Sequence, residues 1–175
     1  MLLMGHHRRN DRWRHWLHHS ELVGPQDMSR PPVTLVGIRT GRPGDLPLSP
    51  VGGRSSAADR LRLLLRLSVS EFDEMFPNRV NVEDRRRGRQ LFRTLRGVVF
   101  VLGREAWRCL GMIDTEFFDC VYFPDRDTVY VLLPHPSGRN LMLNDRRVGV
   151  RMAHVLRQMP ERYVAADTRG GGRDY

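Results

Sequence analysis

Val98-Val99-Phe100-Val101-Leu102 is an unbroken apolar run set between Gly97 and Gly103. A run this short and this uniformly apolar fits a strand buried on both faces, as at the centre of a parallel sheet. Parallel strands must be joined by long crossovers, which are usually helices. A strand of this kind therefore demands helical patterns on either side of it.

The chain supplies them. Val33 to Ile38 predicts a short strand. Ser56-Ala57-Ala58-Asp59 and Ser68-Val69-Ser70-Glu71 both carry the Ser-x-x-acid pattern that caps helices. The first precedes the stripe Leu61, Leu64 and Leu65. The second precedes Phe72, Met75 and Phe76, and Pro77 stops that helix. Arg79 to Val82 predicts a strand, and Arg85 to Leu95 a basic helix ended by Gly97. Beyond Gly103, Ala106, Trp107 and Leu110 predict a helix closed by Gly111. Cys120 to Phe123 and Thr128 to Leu133 flank Pro124-Asp125-Arg126-Asp127 and read as a hairpin. A last helix is expected from Asn144 to Met159, with Val148, Met152, Val155, Leu156 and Met159 on one face. This alternation predicts an α/β fold: a three-layer sandwich with a short, mostly parallel central sheet flanked by helices. Residues 1–30 read as a basic, disordered extension, 31–166 as the domain and 167–175 as a disordered tail.

Composition narrows the partners. The 175 residues carry a net charge of +9, with 40% apolar residues and room for one domain with a core. No apolar run approaches the ~20 residues of a spanning helix, so the chain reads as cytoplasmic, with no membrane partner. All 29 cationic side chains are arginine. A GC-rich genome explains arginine over lysine, but not the excess of cations over acids. That excess points to a polyanion, with nucleic acid the best fit. The absence of lysine removes Schiff-base chemistry from every side chain, leaving only the N-terminal amine. Cys109 and Cys120 are too few for a four-cysteine zinc or iron–sulfur site and read as free thiols in apolar surroundings. Five of the seven histidines fall within residues 1–30 and read as part of a solvated basic arm rather than a metal site.

One segment carries chemistry. His135-Pro136-Ser137-Gly138-Arg139-Asn140 follows the run Val129 to Leu133 after a single proline. A strand that delivers a histidine into a Pro/Ser/Gly loop builds a polar site on a rigid base. The loop offers a ring N–H, a hydroxyl and backbone amides, all suited to an anionic oxygen or a phosphate. Taken alone, His-Pro-Ser is equally a tight turn with an incidental histidine. In an α/β sheet, sites gather at the carboxyl ends of the strands. Two further loops belong there: Gly37-Ile38-Arg39-Thr40-Gly41 after the first strand, and the neighbourhood of Asn81.

In this order, the three loops resemble the motifs of the uracil-DNA glycosylase superfamily, over roughly Val33 to Met159. The glycine loop is the nearest counterpart of its first motif. Pro47-Leu48-Ser49-Pro50-Val51-Gly52-Gly53 leads into the leucine-rich helix. Asn81-Val82 matches the middle motif, and His135 to Asn140 the last. The resemblance implies an enzyme of DNA repair by base excision. It would cleave the N-glycosidic bond of uracil or a modified pyrimidine, without cofactor or metal, as a monomer acting on single- or double-stranded DNA. It implies that His135 donates to a base carbonyl and that Asn81 reads the base edge. Ser137 and Gly138 would hold a flanking phosphate. Arg139, Asn140, Leu141 and Met142 would contact DNA, with the apolar pair wedging into the stack as the base flips out.

Two departures qualify this. Arg39 stands where the family carries a carboxylate or amide that positions water, leaving Asp45 and Asn140 as candidates. Where an aromatic ring often stacks on the base, this chain has Leu46-Pro47-Leu48. Either Leu48 packs the base face, or the pocket takes something other than plain uracil. Arg39 favours a rival reading, a non-catalytic nucleic-acid-binding member of the fold. A third is an enzyme acting on free modified nucleosides. Arg85, Arg86, Arg87 and Arg89 are expected to form a DNA-facing strip, although a solvated helix face is the simpler reading.

Overall fold

A computed structural model describes residues 32–38, 48, 56–137 and 140–170. It contains the expected three-layer α/β sandwich. Strands β1 (Val33–Ile38), β2 (Asn78–Val82), β3 (Gly97–Leu102), β4 (Cys120–Phe123) and β5 (Thr128–Leu133) form one sheet in the order β2-β1-β3-β5-β4. All neighbours run parallel except β4, which pairs antiparallel with β5. Every residue of β3 and β5 is buried, as the unbroken apolar runs require. The hairpin turns through a 3₁₀ turn at Pro124–Arg126, and Asp127 adopts φ 46°, a left-handed conformation that aspartate tolerates.

The helices divide between the two faces. On one lie α1 (Ala57–Leu64), α2 (Val69–Met75) and α5 (Arg146–Gly170). There Leu61, Leu65, Phe72, Phe76, Met152 and Leu156 pack against Leu35, Phe100 and Val131 of the sheet. On the other face lie α3 (Arg85–Thr94) and α4 (Arg104–Cys109). Trp107 and Leu110 fill that layer against Val36, Val99, Val101 and Leu132. Burying each such large side chain contributes about 1.5–3 kcal/mol. The Trp107 indole N–H donates to the Ile113 carbonyl at 2.8 Å, so the ring loses no hydrogen bond on burial.

Capping follows the sequence. Ser56 Oγ accepts the Asp59 N–H at 3.0 Å, and Ser68 with Glu71 forms a reciprocal capping box. Asp84 Oδ1 accepts the Arg87 N–H at 2.8 Å to open α3. Both cysteines are free, and burial pushes the Cys120 thiol up to about 12, which makes it a poor nucleophile.

The last helix differs from expectation. Leu141–Asn144 forms a 3₁₀ turn, α5 begins at Arg146, and the helix runs through Pro160 to Gly170 instead of ending at Met159. Proline removes one helical N–H and crowds the carbonyl four residues earlier. Tertiary contact overrides that local cost. Tyr163, one turn beyond the proline, is buried, and its hydroxyl donates to the Asp127 carbonyl. The helix therefore also covers Asp167 to Gly170, where a disordered tail was expected. The N-terminal extension and residues 171–175 lie outside the described residues.

Helices α3 and α4 meet at Gly88. A Cβ there would lie 2.1 Å from the Cys109 carbonyl oxygen. Gly88→Ala gains up to ~1 kcal/mol in helix propensity. It collides, however, with backbone that cannot rotate away, and such overpacking costs about 1–3 kcal/mol. The collision wins, and thermal unfolding of Gly88→Ala should show a Tm lower by several degrees.

Candidate active site at the carboxyl edge of the sheet

Chain order reverses direction at β1: β2 pairs on one side of it and β3 on the other. At such switch points α/β sheets bind ligands, in the crevice outside the carboxyl ends of the strands. Asn81 lies beside Gly37 in the β1–β2 register. His135 follows β5 at the same edge. The two are separated by three strand spacings, about 14 Å at the sheet itself.

The Asn81 side of the crevice is tightly built. A Cβ on Gly37 would lie 3.1 Å from Asn81 Oδ1 and 3.1 Å from Leu48 Cδ2. Any larger residue would push these two side chains back from the strand end by a few tenths of an ångström. Leu48 itself has φ 48°, a left-handed conformation that is costly for a branched residue. Strain of this kind persists where the surroundings hold it and is concentrated at functional sites. Asn81 Oδ1 is buried and, among the described residues, accepts no hydrogen bond. A buried carbonyl oxygen left unpaired costs about 1–3 kcal/mol, so it is poised for an N–H donor.

The histidine side is equally ordered. His135 Nδ1 accepts the Ser137 backbone N–H at 3.1 Å. That bond fixes the neutral tautomer with the proton on Nε2, leaving one N–H free to donate. Burial lowers the pKa of the ring, partly opposed by the negative charge of Glu105. The backbone beneath it is Gly103, the N-cap of α4, with φ 92° and ψ 153°, a region open essentially to glycine alone. A Cβ at Gly103 would lie 3.1 Å from His135 Cβ.

Asn140 shapes the loop. Its Nδ2 donates to the His135 carbonyl at 2.9 Å, and its Oδ1 accepts the Met142 N–H at 3.1 Å. Both ends of this amide hold the loop, and each keeps capacity for one further hydrogen bond. The Ser137 amide is likewise committed to the imidazole. Leu141 and Met142 are 73% and 40% exposed, so they are not core.

Other expected residues separate. Ile38 belongs with the α3/α4 layer, opposite Gly37, because successive strand residues face opposite ways; it does not line the crevice. Arg85, Arg86, Arg87 and Arg89 are all exposed on α3. Arg39, Asp45, Gly138 and Arg139 lie outside the described residues. Glu105 was not anticipated from sequence. The signal was present in Gly103-Arg104-Glu105, which places an acid just beyond the carboxyl end of a fully buried strand. Among the described residues, no group of three or more His, Cys, Asp or Glu side chains gathers to hold a metal, and no helix is long and apolar enough to cross a membrane. No protein-family model matches this chain, and no curated protein sequence matches it.

The histidine has a consequence for stability. In the unfolded chain it titrates near 6.5, and in the folded protein it titrates lower. As pH falls through about 6.5, the unfolded state takes up a proton that the folded state refuses. Stability therefore drops, by at most about 1.4 kcal/mol per pH unit from this group. Denaturant titrations of wild type and His135→Gln between pH 7.5 and 5 should show a smaller loss in the variant.

Proposed function

We propose that this protein is a DNA glycosylase of the uracil-DNA glycosylase type, acting on uracil or a modified pyrimidine. The observation that carries the reading is Asn81 Oδ1, a buried acceptor that meets no donor among the described residues, on the same sheet edge as a neutral imidazole whose Nε2–H is likewise unpaired among them. A uracil-type ring presents a ring N–H beside carbonyl oxygens. Its N–H would satisfy Asn81, and one carbonyl would accept from His135 Nε2. In that pose the ring would lie between β2 and β5, bridging the two side chains.

The chemistry follows from that pose. The C1′–N bond breaks and its electron pair moves onto the base, whose negative charge spreads to the carbonyl oxygens. His135 donates where that charge develops, and a donor in place beforehand costs no reorganisation. A water oxygen bonds to C1′, and the proton it releases balances the anionic base. A neutral imidazole suits this role, because it donates a hydrogen bond through Nε2 without first having to gain or lose a proton. Glu105 brings a negative charge to this edge, favourable beside an oxocarbenium-like sugar. Exposed Leu141 and Met142 suit a wedge that fills the gap left by a flipped base.

Arg39 favours a second reading, in which the same crevice binds an extrahelical base without cleaving it. An alkali-cleavage assay separates the two. Oligonucleotides carrying uracil, a G·U mismatch or 5-hydroxymethyluracil, single- and double-stranded, should yield abasic product on at least one. Binding without product on all of them supports the non-catalytic reading. His135→Ala should fold with nearly unchanged Tm and lose roughly a hundredfold or more in excision rate. Asn81→Asp should shift base choice, because a carboxylate accepts hydrogen bonds but cannot donate one.

A further inference from the structure

The ten residues of α3 include Arg85, Arg86, Arg87, Arg89 and Arg93 and no acid. Five side chains, Arg85, Arg86, Arg89, Gln90 and Arg93, line a shallow groove of about 400 Å³. At 100° per residue they fall within an arc of about 140°, while Leu91 and Phe92 face the sheet. Arg87 lies outside that arc, so the strip expected from sequence loses Arg87 and gains Gln90 and Arg93. The ion pairs Arg62–Asp59, Arg79–Asp73, Arg104–Glu116 and Arg108–Asp114 occupy other arginines.

The placement of these charges works against the free protein. The amino end of a helix carries the positive pole of its dipole, where cations are destabilising. Arg85, Arg86 and Arg87 occupy the whole first turn, so three cations face the two acids that precede it, Glu83 and the Asp84 cap. Such an arrangement is relieved when an anion arrives. The spacing suits a particular anion. Arg85, Arg89 and Arg93 follow one another every ~6 Å along the helix and span ~12 Å. A nucleic-acid strand carries one phosphate per ~3.4 Å of its axis, so this length meets about three to four phosphates. Guanidinium groups also pair with phosphate oxygens through two parallel hydrogen bonds. Finally, α3 starts at the carboxyl edge, four residues after Asn81, and leads away from it along the side of the domain.

We propose that the α3 groove holds the phosphodiester backbone of a nucleic-acid strand leaving the candidate active site, independently of its sequence and of any target base. It would thus be a second contact region, which retains nucleic acid while the crevice samples bases. The inference shares its choice of polyanion with the glycosylase reading, but it concerns binding alone.

The test uses the full chain, with Arg85, Arg86, Arg89 and Arg93 changed together to Gln. Affinity for a uracil-free oligonucleotide is measured by fluorescence anisotropy across a potassium chloride series. The variant should bind at least tenfold more weakly near 0.1 M salt. Its slope of log affinity against log salt should be flatter by about 3 to 4 on duplex DNA. Its Tm should be unchanged or raised, because cations leave the helix amino end. Arg108→Gln, on α4 and paired with Asp114, should leave binding unchanged. Unchanged affinity and slope in the quadruple variant overturn the proposal. So does equally tight, equally arginine-dependent binding to phosphatidylglycerol vesicles or polyglutamate, which would make the groove a general anion surface. His135→Ala separates the two readings. If it keeps full affinity and salt slope, the groove stands whether or not abasic product forms, and failure of excision alone bears on the crevice.

Discussion

Hydrogen bonding among β1, β3 and β5 places three strand ends side by side, and each of these strands is buried along most or all of its length. The register leaves no freedom. A one-residue slip of β5 against β3 would turn Val129, Val131 and Leu133 from one helical layer to the other. It would also carry the histidine away from Gly103. The geometry of the candidate site is therefore a by-product of core packing. Loops hold the chemistry, while the apolar strands set where each loop begins.

Two glycines convert that frame into a site. At Gly37 the missing Cβ lets Asn81 and Leu48 close in. At Gly103 a conformation reserved for glycine lets α4 start directly beneath His135. Each is a close approach of side chain to backbone, with 3.1 Å to the nearest atom of an added Cβ. Around them, polar groups are committed to one another: the Ser137 amide to the imidazole, and the Asn140 amide to the loop backbone. Asn81 Oδ1 is the exception, a buried acceptor still unpaired among the described residues.

Much of this was legible in sequence because it depends on local pattern. Continuous apolar runs marked β1, β3 and β5, and Ser68 with Glu71 announced α2 before any tertiary contact was considered. What stayed hidden depends on contacts distant in sequence. Pro160 reads as a helix stop, and only the packing of Tyr163 against the hairpin shows why the helix continues. Ile38 sits inside the first motif but turns toward the opposite layer, a distinction that needs the strand's facing. Glu105 is far from any motif in sequence and reaches the site through the β3–β5 pairing. On α3, a run of arginines is visible at once. Which of them share a groove follows from where Leu91 and Phe92 anchor the helix.

On the glycosylase reading, Asn81 and His135 form one pocket, complementary to a ring N–H and an adjacent carbonyl. NMR titration with 1-methyluracil and 1,3-dimethyluracil probes that pairing, since the first compound keeps the N3–H and the second has no ring N–H. With a shared pocket, 1-methyluracil shifts both the Asn81 side-chain amide and the His135 Nε2–H signals, and 1,3-dimethyluracil leaves both in place. Equal responses to the two compounds, or a response at only one of the two residues, would contradict it.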